Sequence, residues 1–262
     1  MLKGRYIRKA AGEWHVAVER QMDSGMHGQI DTTFDFRSDT PPRKDPDTHS
    51  PTLRRYHKLL WSKPLPSGFR FELVDTTPGV YLHHKSKIGE FWLSSDSVIP
   101  TFTRESKIHH VIKQISDYEL NRFHAIGYTI GGMMVFPGQC VGGKMTINGA
   151  RGFHPHIKDR FDLTVECIRR HYLQERSPLL EPLNRYADFF NLFDNFRGYV
   201  EFFLLQDIVN DEFSAVKFFM PFDNFKTSPL PSSKDVYVSY MQHAVEFIEA
   251  RNKRIREYCV EN

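Results

Sequence analysis

The chain has 262 residues, 40% of them hydrophobic and 14% aromatic, with a net charge of +3. That length and apolar content suit one large domain with a substantial core, and they exclude a disordered chain. No run of about 18 apolar residues occurs, so the sequence contains no membrane-spanning helix. The N-terminus has positive charge but no apolar core of signal-peptide type.

Two further counts narrow the class. The 22 phenylalanines predict an aromatic-rich interior. The cysteines Cys140, Cys167 and Cys259 are odd in number and form no CxxC pair, which argues against a zinc ribbon and a disulfide framework. A reducing, cytoplasmic setting is the expectation.

Residues 1–29 read as an extension or tag-like segment, and residues 30–262 as a single domain. The stretch "TTFDFRSDTPPRKDPDTHSPT", residues 32–52, has four prolines among Asp, Ser and Thr, and reads as a loop. Ser50-Pro51 then opens a helix, "TLRRYHKLLWSK", with Leu53, Tyr56 and Leu60 as its apolar stripe. Residues 69–74, 79–84 and 90–94 read as strands.

"TRESKIHHVIKQI" and "DYELNRFHAI" read as helices. "GYTIGGMMVFPG" is β-rich, and its paired Gly131 and Gly132 predict a bulge, or the close approach of another backbone or a ligand. "KMTING" reads as its hairpin partner, and Gly149 and Gly152 place Arg151 in a turn.

The second half is helical. Ile157, Phe161, Val165, Ile168 and Tyr172 share one helical face, and Ser177-Pro178 opens another helix. "GYVEFFLLQDIV" reads as a buried helix, and Tyr237, Met241, Ala244, Ile248 and Ile255 mark the buried side of a long final one. The fold class expected is α+β, with a mainly antiparallel sheet from the strand-rich first half and helices packed on it.

Three constellations could carry chemistry. The first is "GVYLHHKSKIGEFWLSSDSV", residues 79–98, which gathers Tyr81, His83, Ser94, Ser95, Asp96 and Ser97 at strand ends. The second is "HPH" at residues 154–156 with Asp159 and Asp162 following, a spacing able to bind one metal. Both aspartates fall in the first turns of a helix, whose dipole accounts for them, and His156 fits its cap, so no metal is expected. The third is the basic helix carrying Arg54, Arg55 and Lys58, which with Arg151 suits phosphate or nucleic acid.

Long segments, among them "SPTLRRYHKLLWSKPLPSG", "GEFWLSSDSVIPTFTR", "IGYTIGGMMVFPG" and "DRFDLTVECIRRHYL", resemble an uncharacterised bacterial family that carries only a domain-of-unknown-function label. The resemblance runs from about residue 30 to the C-terminus and implies no activity.

A second resemblance is one of order alone. Tyr81 with His83, then Ser94 to Ser97, then Glu201 is similar to the pattern of mono-ADP-ribosyltransferases of toxin or phage-defence type. It implies an NAD cofactor held by His83, Tyr81, Ser94, Ser95 and Ser97, with Glu201 stabilising an oxocarbenium-like state and nucleic acid or protein as acceptor. No YHGT-type tetrad follows, and the segment around Glu201 reads as helix. The other expectation is a non-enzymatic binding module of a defence or toxin–antitoxin set, with nucleic acid, an antitoxin or another protein as partner.

Overall fold

The computed structural model describes residues 30–261 apart from Thr101, Thr103 and Arg104, so the reading of residues 1–29 as a separate segment lies outside the described residues. The first helix among the described residues is the short α1 (Pro46–His49), capped by the Asp45 carboxylate. Helix α2 (Pro51–Trp61) follows at once, with the Ser50 hydroxyl accepting from the Leu53 amide. The proline-rich segment is therefore not all loop: Pro46 sits where its missing N–H is harmless and lets one helical turn form.

Three strands come next, β1 (Leu73–Asp75), β2 (Leu82–Ser86) and β3 (Gly89–Ser97). A 3₁₀ turn leads into α3 (His109–Ile112), and α4 (Asp117–Gly127) is opened by a Ser116/Glu119 capping box. Strand β4 (Met133–Pro137) then completes a four-stranded antiparallel sheet in the order β1-β2-β3-β4. The partner of β4 is β3, with Asp96 opposite Met134 and Ser94 opposite Phe136.

The hairpin expected of "KMTING" does not form. Thr146 caps a helix instead, α5 (Ile147–Phe153), because its hydroxyl accepts the Gly149 amide. Arg151 consequently lies in a helix rather than a turn. Gly131 and Gly132 precede β4 in a 3₁₀ turn, and close approach is their reason: a Cβ on Gly132 would lie 2.1 Å from the Gly127 carbonyl oxygen.

Helix α6 (Phe161–Tyr172) starts later than its apolar spacing predicts, with Arg160 rather than His156 at its N-cap. Lys158 and Asp159 ahead of it adopt left-handed conformations, at φ 47° and 65°. Two short helices α7 (Leu180–Asn184) and α8 (Ala187–Asn191), then α9 (Phe196–Phe202), lead to the long α10 (Lys234–Glu261). All five residues expected on the buried side of α10 are buried.

The architecture is α+β. Phe193, Tyr199, Phe202 and Phe203 stack at centroid distances of 4.9–5.4 Å, and Trp61 and Phe71 join them from the sheet side. One continuous core thus joins the two halves. Among the described residues, no helix is long and apolar enough to cross a membrane.

Candidate active site

Pairing fixes which side chains share a face of the sheet. His83 opposes Trp92, so His83, Trp92, Ser94 and Asp96 lie on one face, together with Met134 and Phe136. His84, Leu93, Ser95 and Ser97 lie on the other. On that second face Ser95 Oγ is 2.9 Å from His57 Nε2, and the Trp61 indole donates to His57 Nδ1 at 3.0 Å. Indole is only a donor, so His57 carries its proton on Nε2 and donates to Ser95. Burial holds this histidine neutral, because its pKa is driven well below the usual value.

The first face carries the unusual chemistry. Arg151 is completely buried and lies over the Phe136 ring, 5.1 Å from its centroid. Its Nη1 donates to Asp96 Oδ2 at 2.6 Å, its Nε to Thr164 at 3.0 Å, and its Nη2 to the Asp159 carbonyl at 3.1 Å. The Asp159 carboxylate stands 3.4 Å from Nη2. Asp159 returns a bond from its amide to the Arg151 carbonyl at 3.0 Å, which stabilises the left-handed backbone there.

Helix α1 brings Asp47 beside Asp96. The Asp47 Oδ1 atom is buried without a hydrogen-bond partner among the described residues. Burial raises the Asp47 carboxyl well above the usual carboxylate range, and the charges of Asp96 and Asp45 add to the rise. Burial also pushes Asp96 up to about 7, with Arg151 opposing and Asp159 and Asp45 adding to it. The amide of Ser97 pulls both carboxyls back toward their ordinary range. Asp96 nonetheless keeps 21% of its side-chain surface in contact with solvent, so this carboxyl lies deep but is reachable.

Tyr128 completes the group. Its hydroxyl is kept neutral first by burial and then by Asp47 and Asp45, while Arg37 sits 5.4 Å above its ring. Of two neighbouring carboxyls, the one with a guanidinium ionises first. Both carboxyls are thus drawn toward their protonated forms, and Asp96, which has the guanidinium, keeps its charge more readily than Asp47. Neighbouring carboxyls whose surroundings differ in this way are suited to divide into an acid and a base.

The other candidates are distributed differently. Glu201 is exposed on α9 and ion-paired with Arg197 at 2.7 Å. Phe202 of the same helix packs on Phe71, which stacks on His84. Glu201 therefore belongs to the side of the sheet opposite His83. His83 stacks on Trp92 and meets Glu90 at 2.9 Å, and Tyr81 is exposed. Ser94 Oγ donates to the Ser95 carbonyl, and Ser97 Oγ accepts the Ile99 amide.

Arg54 and Arg151 are both buried. Arg151 is enclosed, and Arg54, 2% exposed, donates to the carbonyls of Thr76, Thr77 and Val80. Arg55 and Lys58 are the exposed cations of the basic helix. His154 Nδ1 accepts the His156 amide in a local turn, and among the described residues no group of three or more His, Cys, Asp or Glu is placed to hold a metal.

The sequence flagged Asp96 only as a member of a serine cluster, and Asp159 only as a candidate metal ligand or a helix-terminal charge. Asp47 drew no notice inside its proline-rich segment. The one signal available was three aspartates, Asp39, Asp45 and Asp47, immediately before a strong Ser-Pro helix start.

Comparison with known proteins gives the family but no chemistry. A family model described as a family of unknown function matches residues 30–255, which includes every residue of the cluster. No curated protein and no solved structure matches the chain.

Proposed function

The chain thus belongs to the family of unknown function DUF6994, and from the site alone we propose that it is an enzyme that cleaves a glycosidic bond, with Asp47 as general acid and Asp96 as base and charge stabiliser. The observation that carries this reading is two neighbouring buried carboxyls raised above the ordinary range, with Asp96 at about 7 and still in contact with solvent. Glycosidic cleavage passes through a cation-like state at the anomeric carbon. A protonated carboxyl beside an ionised one answers both of its needs.

In the forward step the bond to the leaving group breaks, and its electron pair departs with that group, which takes the Asp47 proton. Asp96, anchored by Arg151, faces the growing positive charge. Water or an acceptor hydroxyl then adds to the carbon and gives its proton to Asp96. Arg151 touches no substrate; it is a positioning residue.

NAD is the first substrate to try, with water, protein or nucleic acid as acceptor. Its nicotinamide leaves without needing a proton, so NAD turnover requires Asp96 more than Asp47. In an assay of nicotinamide release alongside aryl glycosides and nucleosides, the native protein should turn over at least one class. Asp96→Asn should reduce that rate by about 100-fold or more. Asp47→Asn should slow poor leaving groups and leave NAD nearly untouched, and Glu201→Gln should match the native rate. No cleavage of any of the three classes by folded protein refutes the reading. Loss in Glu201→Gln with retention in Asp96→Asn moves the chemistry to Glu201.

A further inference from the structure

The basic face of α2 opens onto a concave pocket of about 430 Å³, lined by Arg54, Arg55, Lys58, Asp75, Thr76 and Thr77. Its charges are unbalanced. Three cations line it against one carboxylate, and that carboxylate is already held by the Thr77 amide at 2.8 Å. Neither Arg55 nor Lys58 has an ion-pair partner among the described residues.

The floor is built rather than incidental. Arg54 is 2% exposed, and its Nε and Nη2 are fixed by three backbone carbonyls of the loop at residues 76–80. Its Nη1 takes no acceptor among the described residues. That nitrogen is open to solvent and can take an anion as its acceptor. Arg55 is stiffened by Tyr56, whose ring lies 5.1 Å beneath its guanidinium. Arg55 and Lys58 are three residues apart on the helix, so both point to the same rim.

We propose that this pocket binds a phosphate group carried by a small molecule, gripped by Arg55 and Lys58 above the buried Arg54. The size of the pocket decides against a nucleic-acid track. A strand would need cations repeated along a groove, whereas two exposed cations around one concavity neutralise one or two phosphates. The pocket is also tied to the acid–base cluster. The Gly79 amide donates to the Thr48 carbonyl, and His49 packs against Gly79, so the loop that holds Arg54 rests on the helix that carries Asp47. The inference does not depend on the glycosidic reading, because it is tested by binding.

Titration calorimetry with inorganic pyrophosphate, run on the native chain and on Arg55→Gln/Lys58→Gln, decides it. Both residues are exposed, so the double variant keeps its fold. Saturable binding should weaken by about tenfold or more in the variant. Equal affinity in the two proteins, or no binding up to about 10 mM pyrophosphate, overturns the proposal. So does a single strand of about 12 nucleotides that binds more tightly than pyrophosphate, with a salt dependence that grows with strand length.

Discussion

Asp47 shows the most about the site at the scale of one residue. Its carboxyl is raised first by burial, and one oxygen lacks a partner among the described residues. The ionised form is disfavoured in the fold, so the penalty is absent below the unfolded value near 4 and grows as pH rises past it. Asp47→Asn should therefore stabilise the protein by about 1–3 kcal/mol near pH 8, with the gain fading toward pH 4. Paired thermal melts at the two pH values check this; a destabilised variant near pH 8 would show that the carboxylate is satisfied. A residue that weakens the fold and serves the reaction is the usual compromise of an active site. None of this was legible in "DPDTH": an aspartate in a proline-rich segment is ordinarily a solvated cap, and Asp45 is one. Asp96 was visible as a polar residue at a strand end, but its role comes from Arg151, 55 residues further on.

The elements were easier to read than the residues, because caps and apolar spacing are local. Ser50-Pro51 and the buried side of α10 came directly from pattern. "KMTING" failed because its alternation of polar and apolar residues suits a strand as well as the entry to a helix, and Thr146 acts as the N-cap. Of the alternatives open for Gly131 and Gly132, the close approach of another backbone is the one that holds, and they precede β4 instead of interrupting it. That junction is tight enough to predict from. The Gly132→Ala methyl would sit 2.1 Å from a backbone oxygen of α4, an atom that cannot rotate away. The variant should lose about 2 kcal/mol or more of stability in urea unfolding. A loss below about 0.5 kcal/mol would mean that the α4–β4 junction relaxes freely.

The whole molecule explains why the chemistry was hidden while the fold was not. The cluster is assembled from α1, β3, α5 and the left-handed segment before α6, spanning Asp45 to Asp159. No local window contains it. What holds these pieces in register is equally non-local. Arg251 of α10, fully buried, donates to the carbonyls of Gly131, Met133 and Phe203, fixing the open edge of the sheet to the helical half. The order of Tyr81, His83, the serines and Glu201 along the chain carried no such information, and the fold puts His83 and Glu201 on opposite sides of the sheet. An abnormal carboxyl is thus a product of the native state as a whole and should vanish with it.

The most direct test is a carbon-13 NMR titration of aspartate carboxyls in the native chain, in Asp96→Asn and in urea. The account predicts one native carboxyl titrating near 7, absent from the variant and returned to the ordinary range near 4 in urea. If every native aspartate titrates below about 5, Asp96 is a plain ion-pair partner of Arg151 and the acid–base site does not exist.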